Sequence, residues 1–150
     1  MPNPAQVVVE RMSVLGFRSC MFYDDIVWNV DTRLIDSWLD TLDDGSADQV
    51  LAALTILRDV GPALGRPLVD TVATSRHRNM KELRPGSRGR SELRILFAFD
   101  PVRRAILLVA GDKAGNWKKW YRTNIPLADE LLDQHLRALT DRRSRGVDDG

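Results

Sequence analysis

A chain of 150 residues, 43% hydrophobic and 29% charged, has the size and composition of one soluble globular domain with tails, long enough to bury a core without covalent staples. The net charge of +1 by itself points to no polyanionic partner, and the single Cys20 excludes an internal disulfide framework and fits a reducing, cytoplasmic compartment. No apolar run approaches the roughly 20 residues that span a bilayer, and Val7-Val8-Val9 is broken at once by Glu10 and Arg11, so neither a membrane segment nor a signal peptide is expected.

Residues 1–25, with Pro2, Pro4 and Gly16 and no clear period, read as a flexible N-terminal extension. Ile26-Val27-Trp28-Asn29-Val30 is rich in branched and aromatic residues and reads as a strand. Asp31 then stands as a helix cap before Leu34, Ile35, Trp38, Leu39 and Leu42 at helical spacing, and Gly45 closes that helix. Ser46 and Gln49 suggest a capping box for a second helix with Val50, Leu51, Leu54 and Leu57 as its apolar stripe, stopped by Gly61-Pro62. Residues 61–78 read as a loop. A meander of three strands follows. The first lies around Met80 to Arg84, the second runs from Leu93 to Phe99, and the third from Ala105 to Ala110, with Asp100-Pro101 as the tight turn between the last two. Lys113 to Arg122 reads as helical, and Thr123-Asn124-Ile125-Pro126 as the start of a further helix carrying Leu127, Leu131, Leu132, Leu136 and Leu139. The expected domain is 26–140, followed by a polar tail over 141–150. Its element order β-α-α-β-β-β-α defines an α+β fold, with helices packed on one face of a small, mostly antiparallel sheet.

Standard catalytic signatures are absent: there is no metal-ligand spacing of His or Cys, no phosphate-binding glycine loop and no nucleophile elbow, so no cofactor or metal is expected. The distribution of charge is more informative than its average. Residues 1–75 hold 5 Lys+Arg against 11 Asp+Glu, a net of −6, whereas residues 76–122 hold 13 against 4, a net of +9. Within that basic stretch the cations stand in or beside strands. Lys81 and Arg84 flank Leu83, Arg94 interrupts an apolar strand, and Lys113 follows a strand end. Charge inside a strand is costly unless it meets water or a partner, and Glu82, Glu92 and Asp112 are the local carboxylates that offer pairing. The surplus favours phosphate chemistry instead. RNA is cut when its own 2′-hydroxyl attacks the adjacent phosphate, and arginine forks suit the pentavalent anion that forms. Trp117, Trp120 and Tyr121 interleave with Lys118, Lys119 and Arg122, which supplies stacking faces beside phosphate contacts, although helical spacing puts at least one of these aromatics in the core. Arg76, Arg78, Arg88 and Arg90 extend the basic surface. His77 reads as a surface residue and His135 as a packing residue of the last helix.

The stretches Asn79-Met80-Lys81-Glu82-Leu83-Arg84, Leu93-Arg94-Ile95-Leu96-Phe97-Ala98-Phe99-Asp100 and Gly111-Asp112-Lys113, with Gly115, Trp117, Trp120 and Tyr121, resemble the phage-derived HigB-like branch of the RelE/HigB toxins over roughly residues 26–139. The resemblance implies a RelE-like fold and the toxin of a type II toxin–antitoxin system. It further implies an mRNA interferase that cuts mRNA in the ribosomal A site, inhibits translation, and is silenced by a helix-turn-helix, HigA-like antitoxin. Carried over, Lys81 and Arg84 match the basic strand, Arg94 the strand arginine that stabilises phosphate, and Lys113 the basic residue after the last core strand. Tyr121 is the nearest match to the aromatic near the C-terminal end of the active site, at a longer spacing. A ParE-like gyrase inhibitor and an inactive binding module of the same fold are the alternatives.

Overall fold

A computed structural model describes residues 28–86 and 89–148. The expected extension, Cys20 and Arg88 therefore fall outside the described residues. The sheet has five strands: β1 (Asn29–Asp31), β2 (Val69–Thr71), β3 (Lys81–Leu83), β4 (Leu93–Phe99) and β5 (Arg104–Asp112). Their spatial order is β1-β5-β4-β3-β2. Only the β1–β5 pair is parallel; the other three pairings are antiparallel. Among the described residues three α-helices accompany them: α1 (Asp36–Leu39), α2 (Asp44–Val60) and α3 (Trp117–Asp148).

The α+β class and the antiparallel-rich sheet are as read from the sequence, but the helices divide between both faces of the sheet. Ile95, Phe97 and Leu107 bury one face with α2 residues Val50, Leu54 and Leu57. Leu96, Ala98, Ile106 and Leu108 bury the other with α3 residues Ile125, Ala128 and Leu132. The cause is the near-continuous apolar character of β4 and β5. A strand whose successive residues are all apolar must be covered on both sides, because its side chains alternate between faces.

A β-bulge breaks that alternation once. Leu96 pairs with Val109 but Phe97 pairs with Leu107, so Leu108 is an extra residue in β5. Beyond it, Val109 joins the α3 face, Ala110 the α2 face, and Gly111 lies under the Trp120 indole on the α3 face. A β-carbon on Gly111 would fall 2.6 Å from Trp120 Nε1. Gly111→Ala is therefore expected to displace the indole and cost about 1–3 kcal/mol in denaturant unfolding; an unchanged midpoint would show that Trp120 is free to move.

Local chemistry adjusts several boundaries. α2 starts at Asp44 because Asp43, not Ser46, is its cap: the Asp43 carboxylate accepts the Ser46 N–H at 2.6 Å. Gly45 accordingly lies inside α2. Val69–Thr71 forms an edge strand in the segment read as a loop. Gly115 adopts a positive φ of 90°, and Asn116 accepts the Lys119 N–H at 3.1 Å, so α3 begins at Trp117 rather than at Lys113. It then runs as one helix through Pro126 and on through residues 141–148. Pro126 removes the N–H that would bond the Arg122 carbonyl, but the residues packed around it, Tyr121, Ile125, Ala128 and Leu132, hold both halves on the sheet.

The Asp100-Pro101 segment is the expected turn, with a second role. The wholly buried Asp100 carboxylate accepts the N–H groups of Val102 and Arg104, each at 2.9 Å, and meets His135 Nε2 at 2.8 Å. One acid thus closes the β4–β5 turn and ties it to α3. Asp100→Ala is expected to cost about 2–4 kcal/mol, since two part-buried backbone donors and an imidazole lose their partner. Thermal unfolding beside the Asp100→Asn variant, which keeps one acceptor, checks the ordering.

Candidate functional site

The end of the sheet beneath the start of α3 carries the polar cluster. Strand parity selects its members. Met80, Glu82 and Arg84 alternate onto the α3 face, whereas Lys81 and Leu83 go to the α2 face. The Glu82 side chain is 5% exposed and lies between two guanidinium groups: Arg84 Nε is 2.9 Å and Arg94 Nε 3.4 Å from Glu82 Oε1. Arg94 is itself only 15% exposed and donates from Nη1 to the Leu93 carbonyl at 2.7 Å. Arg84 reaches onward to Asp70, with Nη2 3.2 Å from Oδ2, and Arg66 holds the same oxygen at 2.9 Å. These arginines, led by Arg66, keep the Asp70 carboxyl below its ordinary range, so it is a standing anion.

Tyr121 closes the cluster from the helix. Its phenol is under the influence of both Glu82 and Arg94. Burial first, and the Glu82 carboxylate second, push its pKa up to about 12. Lys113 sits over the Tyr121 ring, 5.6 Å from its centroid, on the face that the bulge assigns to it. The neutral phenol is the form favoured by the fold, so this stabilisation is complete below pH 10 and is lost as pH rises from 10 towards 12. The chain has two tyrosines. In a Tyr23→Phe variant, the ultraviolet signal of phenolate is expected to appear only near pH 12; a transition near 10 would break the Glu82–Tyr121 contact.

A cleft of about 330 Å³ opens beside the cluster, walled by Glu82, Arg84, Asp70, Thr74, Trp117 and Tyr121 among others. Trp117 is 53% exposed and stands edge-on to Tyr121, with ring centroids 6.3 Å apart. The cleft therefore offers an aromatic face, one arginine, two carboxylates and a neutral hydroxyl within one small volume. Among the described residues, no group of three His, Cys, Asp or Glu is arranged to hold a metal ion.

Of the residues singled out from the sequence, the structure brings together Arg84, Arg94, Lys113, Tyr121 and Trp117. Arg84 lines the cleft, and Arg94 stands behind Glu82. Lys81 is elsewhere: on the α2 face its Nζ donates to the Pro62 carbonyl at 3.3 Å and lies over the Phe99 ring. Lys81 and Arg84 are three residues apart, an odd spacing that cannot share a strand face. Trp120 packs over Gly111 and is the core member of the aromatic set. Lys118, Lys119 and Arg122 are exposed on the first turns of α3, with Lys118 over the Trp117 ring. Arg78 and Arg90 are exposed. Arg76 is engaged by Asp133 and, at 3.7 Å, by Glu130, while Asp133 also meets His77 Nε2 at 2.7 Å. The basic loop is thus fastened to α3 by acids rather than left as a free surface. Glu82 is the member that sequence reasoning had only as a pairing partner; its parity with the buried Met80 was the available signal.

A small mixed sheet, helices on both its faces and a polar, aromatic-walled cleft at one end make this an α+β protein of RelE-like architecture. The chain belongs to the phage-derived Gp49-like family, whose model, "Phage derived protein Gp49-like", matches residues 37–133. It is similar to two proteins of Mycobacterium tuberculosis named putative toxin HigB2 and putative toxin HigB3. The first is 52% identical over 128 residues, covering 85% of this chain and 64% of the relative. The second is 52% identical over 102 residues, covering 68% of this chain and 87% of the relative. The chain thus spans somewhat under two thirds of the length of the HigB2 relative. No solved structure matches it significantly. No helix among the described residues is long and apolar enough to cross a membrane.

Proposed function

We propose that this chain is the toxin of a toxin–antitoxin pair and acts as a ribosome-dependent mRNA endonuclease. The Glu82–Arg84–Arg94–Tyr121 cluster beside an aromatic-walled cleft carries this reading, and the toxin names of the relatives support it. The RNA 2′-hydroxyl attacks the adjacent phosphorus, and the Glu82 carboxylate takes its proton. Arg84 carries the charge of the pentavalent anion, and Arg94 adds its positive field from behind Glu82. The bond from phosphorus to the 5′-oxygen breaks, and that oxygen takes the phenolic proton of Tyr121. Tyr121 recovers a proton from Glu82 across the cleft that both line. The products are a 2′,3′-cyclic phosphate and a 5′-hydroxyl, with no net proton change in the protein. Trp117 stacks a base, Lys113 holds the Tyr121 ring, and Lys118, Lys119 and Arg122 meet phosphates. Translation is thereby inhibited in the cytoplasm, and the partner that silences the toxin is a HigA-like helix-turn-helix antitoxin.

The test is mapping of mRNA 5′ ends after induction in bacteria, with and without a block of translation. New ends inside reading frames that disappear under the block are the expected result. Lys113→Ala is expected to lower their yield by about tenfold or more while leaving the folded protein level unchanged. Growth arrest with intact mRNA would overturn the nuclease reading and move attention to gyrase.

A further inference from the structure

Asp70 has no step in the chemistry above, yet it lines the same cleft as the exposed Trp117. Its Oδ2 is occupied by Arg66 and Arg84, whereas Oδ1 accepts only the N–H of the adjacent Thr71, at 2.9 Å, and keeps acceptor capacity. Arg66 is 76% exposed, so its hold on Oδ2 is weak and replaceable. Arg84 is the better fixed of the two, because its Nε is committed to Glu82. One guanidinium thereby links the Asp70 end of the cleft to the phosphate-directed cluster. The hydroxyl-bearing Thr71 and Thr74 line the same cleft, and Trp117 supplies its exposed aromatic face.

We propose that Asp70, Thr74 and Trp117 form a base-recognition subsite that selects guanine on the RNA strand; this rests on the RNA reading of the cleft. Guanine presents two adjacent donors, N1–H and N2–H, on the edge that also carries the O6 acceptor. A carboxylate accepts both donors side by side once the exposed Arg66 gives way, and a threonine hydroxyl donates to O6. Adenine and cytosine offer one exocyclic amino group beside a ring acceptor, which would oppose a carboxylate oxygen. Uracil offers one ring N–H flanked by carbonyls. The standing negative charge of Asp70 rules out its acting as donor, so the preference is fixed by acceptor geometry. Stacking on Trp117 is indifferent to base identity and supplies affinity rather than choice.

Calorimetric titration of the intact protein with guanosine, adenosine, cytidine and uridine 3′-monophosphates tests the subsite without requiring cleavage. The guanosine nucleotide is expected to bind at least about fivefold tighter than the others, as a bidentate base contact discriminates. Asp70→Asn replaces one acceptor by a donor and is expected to abolish that preference or turn it towards adenine, while Arg66→Ala leaves it intact or strengthens it. Equal affinities in the wild type, no binding of any nucleotide, or a guanine preference that survives Asp70→Asn would each overturn the subsite. A guanine preference in a protein that cuts no mRNA in cells would retain the subsite and overturn the nuclease.

Discussion

Glu82→Ala is expected to destabilise the protein by about 3–5 kcal/mol, because it removes one partner from a buried ion cluster and leaves the others uncompensated. Glu82 is 5% exposed and Arg94 15%, so water cannot easily replace the lost carboxylate. Arg84, at 37%, can swing to solvent; Arg94 is fastened to the Leu93 carbonyl inside the sheet. The cost should therefore fall mainly on Arg94. A double variant, Glu82→Leu with Arg94→Met, is expected to recover most of the loss, since it removes both buried charges together. Guanidinium unfolding of the three proteins measures this. A loss under about 1 kcal/mol in Glu82→Ala would show that the cluster is solvated and that its hydrogen bonds add little.

Arg84→Ala is expected to have the largest effect on activity that is separable from folding. The side chain lines the cleft and bridges Glu82 and Asp70, and its partial exposure lets the variant fold. Removing one preorganised donor from a developing anion typically costs about 10²–10³-fold in rate. Arg84→Lys should restore little of this, because an ammonium cannot reach Glu82, Asp70 and a phosphate oxygen with one planar fork. The measurement is the initial rate at which 5′ ends accumulate on programmed ribosomes, beside the thermal midpoint of each variant. Full activity in a folded Arg84→Ala protein would place the phosphate elsewhere.

Much of the architecture was legible because the strongest signals were long. β4 and β5 are runs of apolar residues whose buried character follows from composition alone, and α2 and the middle of α3 carry clear apolar stripes. The failures were local and have identifiable causes. The Val69–Thr71 strand is three residues long and contains an Asp, so neither period nor propensity marks it; its pairing with β3 defines it. Pro126 and the Thr123-Asn124 pair suggested a helix boundary that packing against the sheet overrides. The site was half legible. Arg94 and Lys113 stood out as charges at the ends of apolar strands, and Tyr121 by its place after them. The residue that organises them, Glu82, looked from the sequence like one acid in a basic stretch. Lys81 was grouped with Arg84 by proximity, although a count along the strand separates them onto opposite faces. Acids distant in sequence, Asp70, Glu130 and Asp133, come back to Arg84 and Arg76, a pairing that no local spacing announces.

The extra residue in β5 makes the site a matter of odd and even numbers. Leu108 shifts the parity of everything after it, which is why Gly111 receives Trp120 and Lys113 reaches Tyr121. Flattening the bulge with Leu108 kept would leave a regular strand of identical composition, yet it would turn Val109, Gly111 and Lys113 to the α2 face and bring Ala110 under α3. Between Leu107 and Lys113 the chain therefore tolerates exchange of one apolar side chain for another far better than a slip of register against β4. Relatives that keep this cleft should vary in the identity of these residues but not in the register of the two strands.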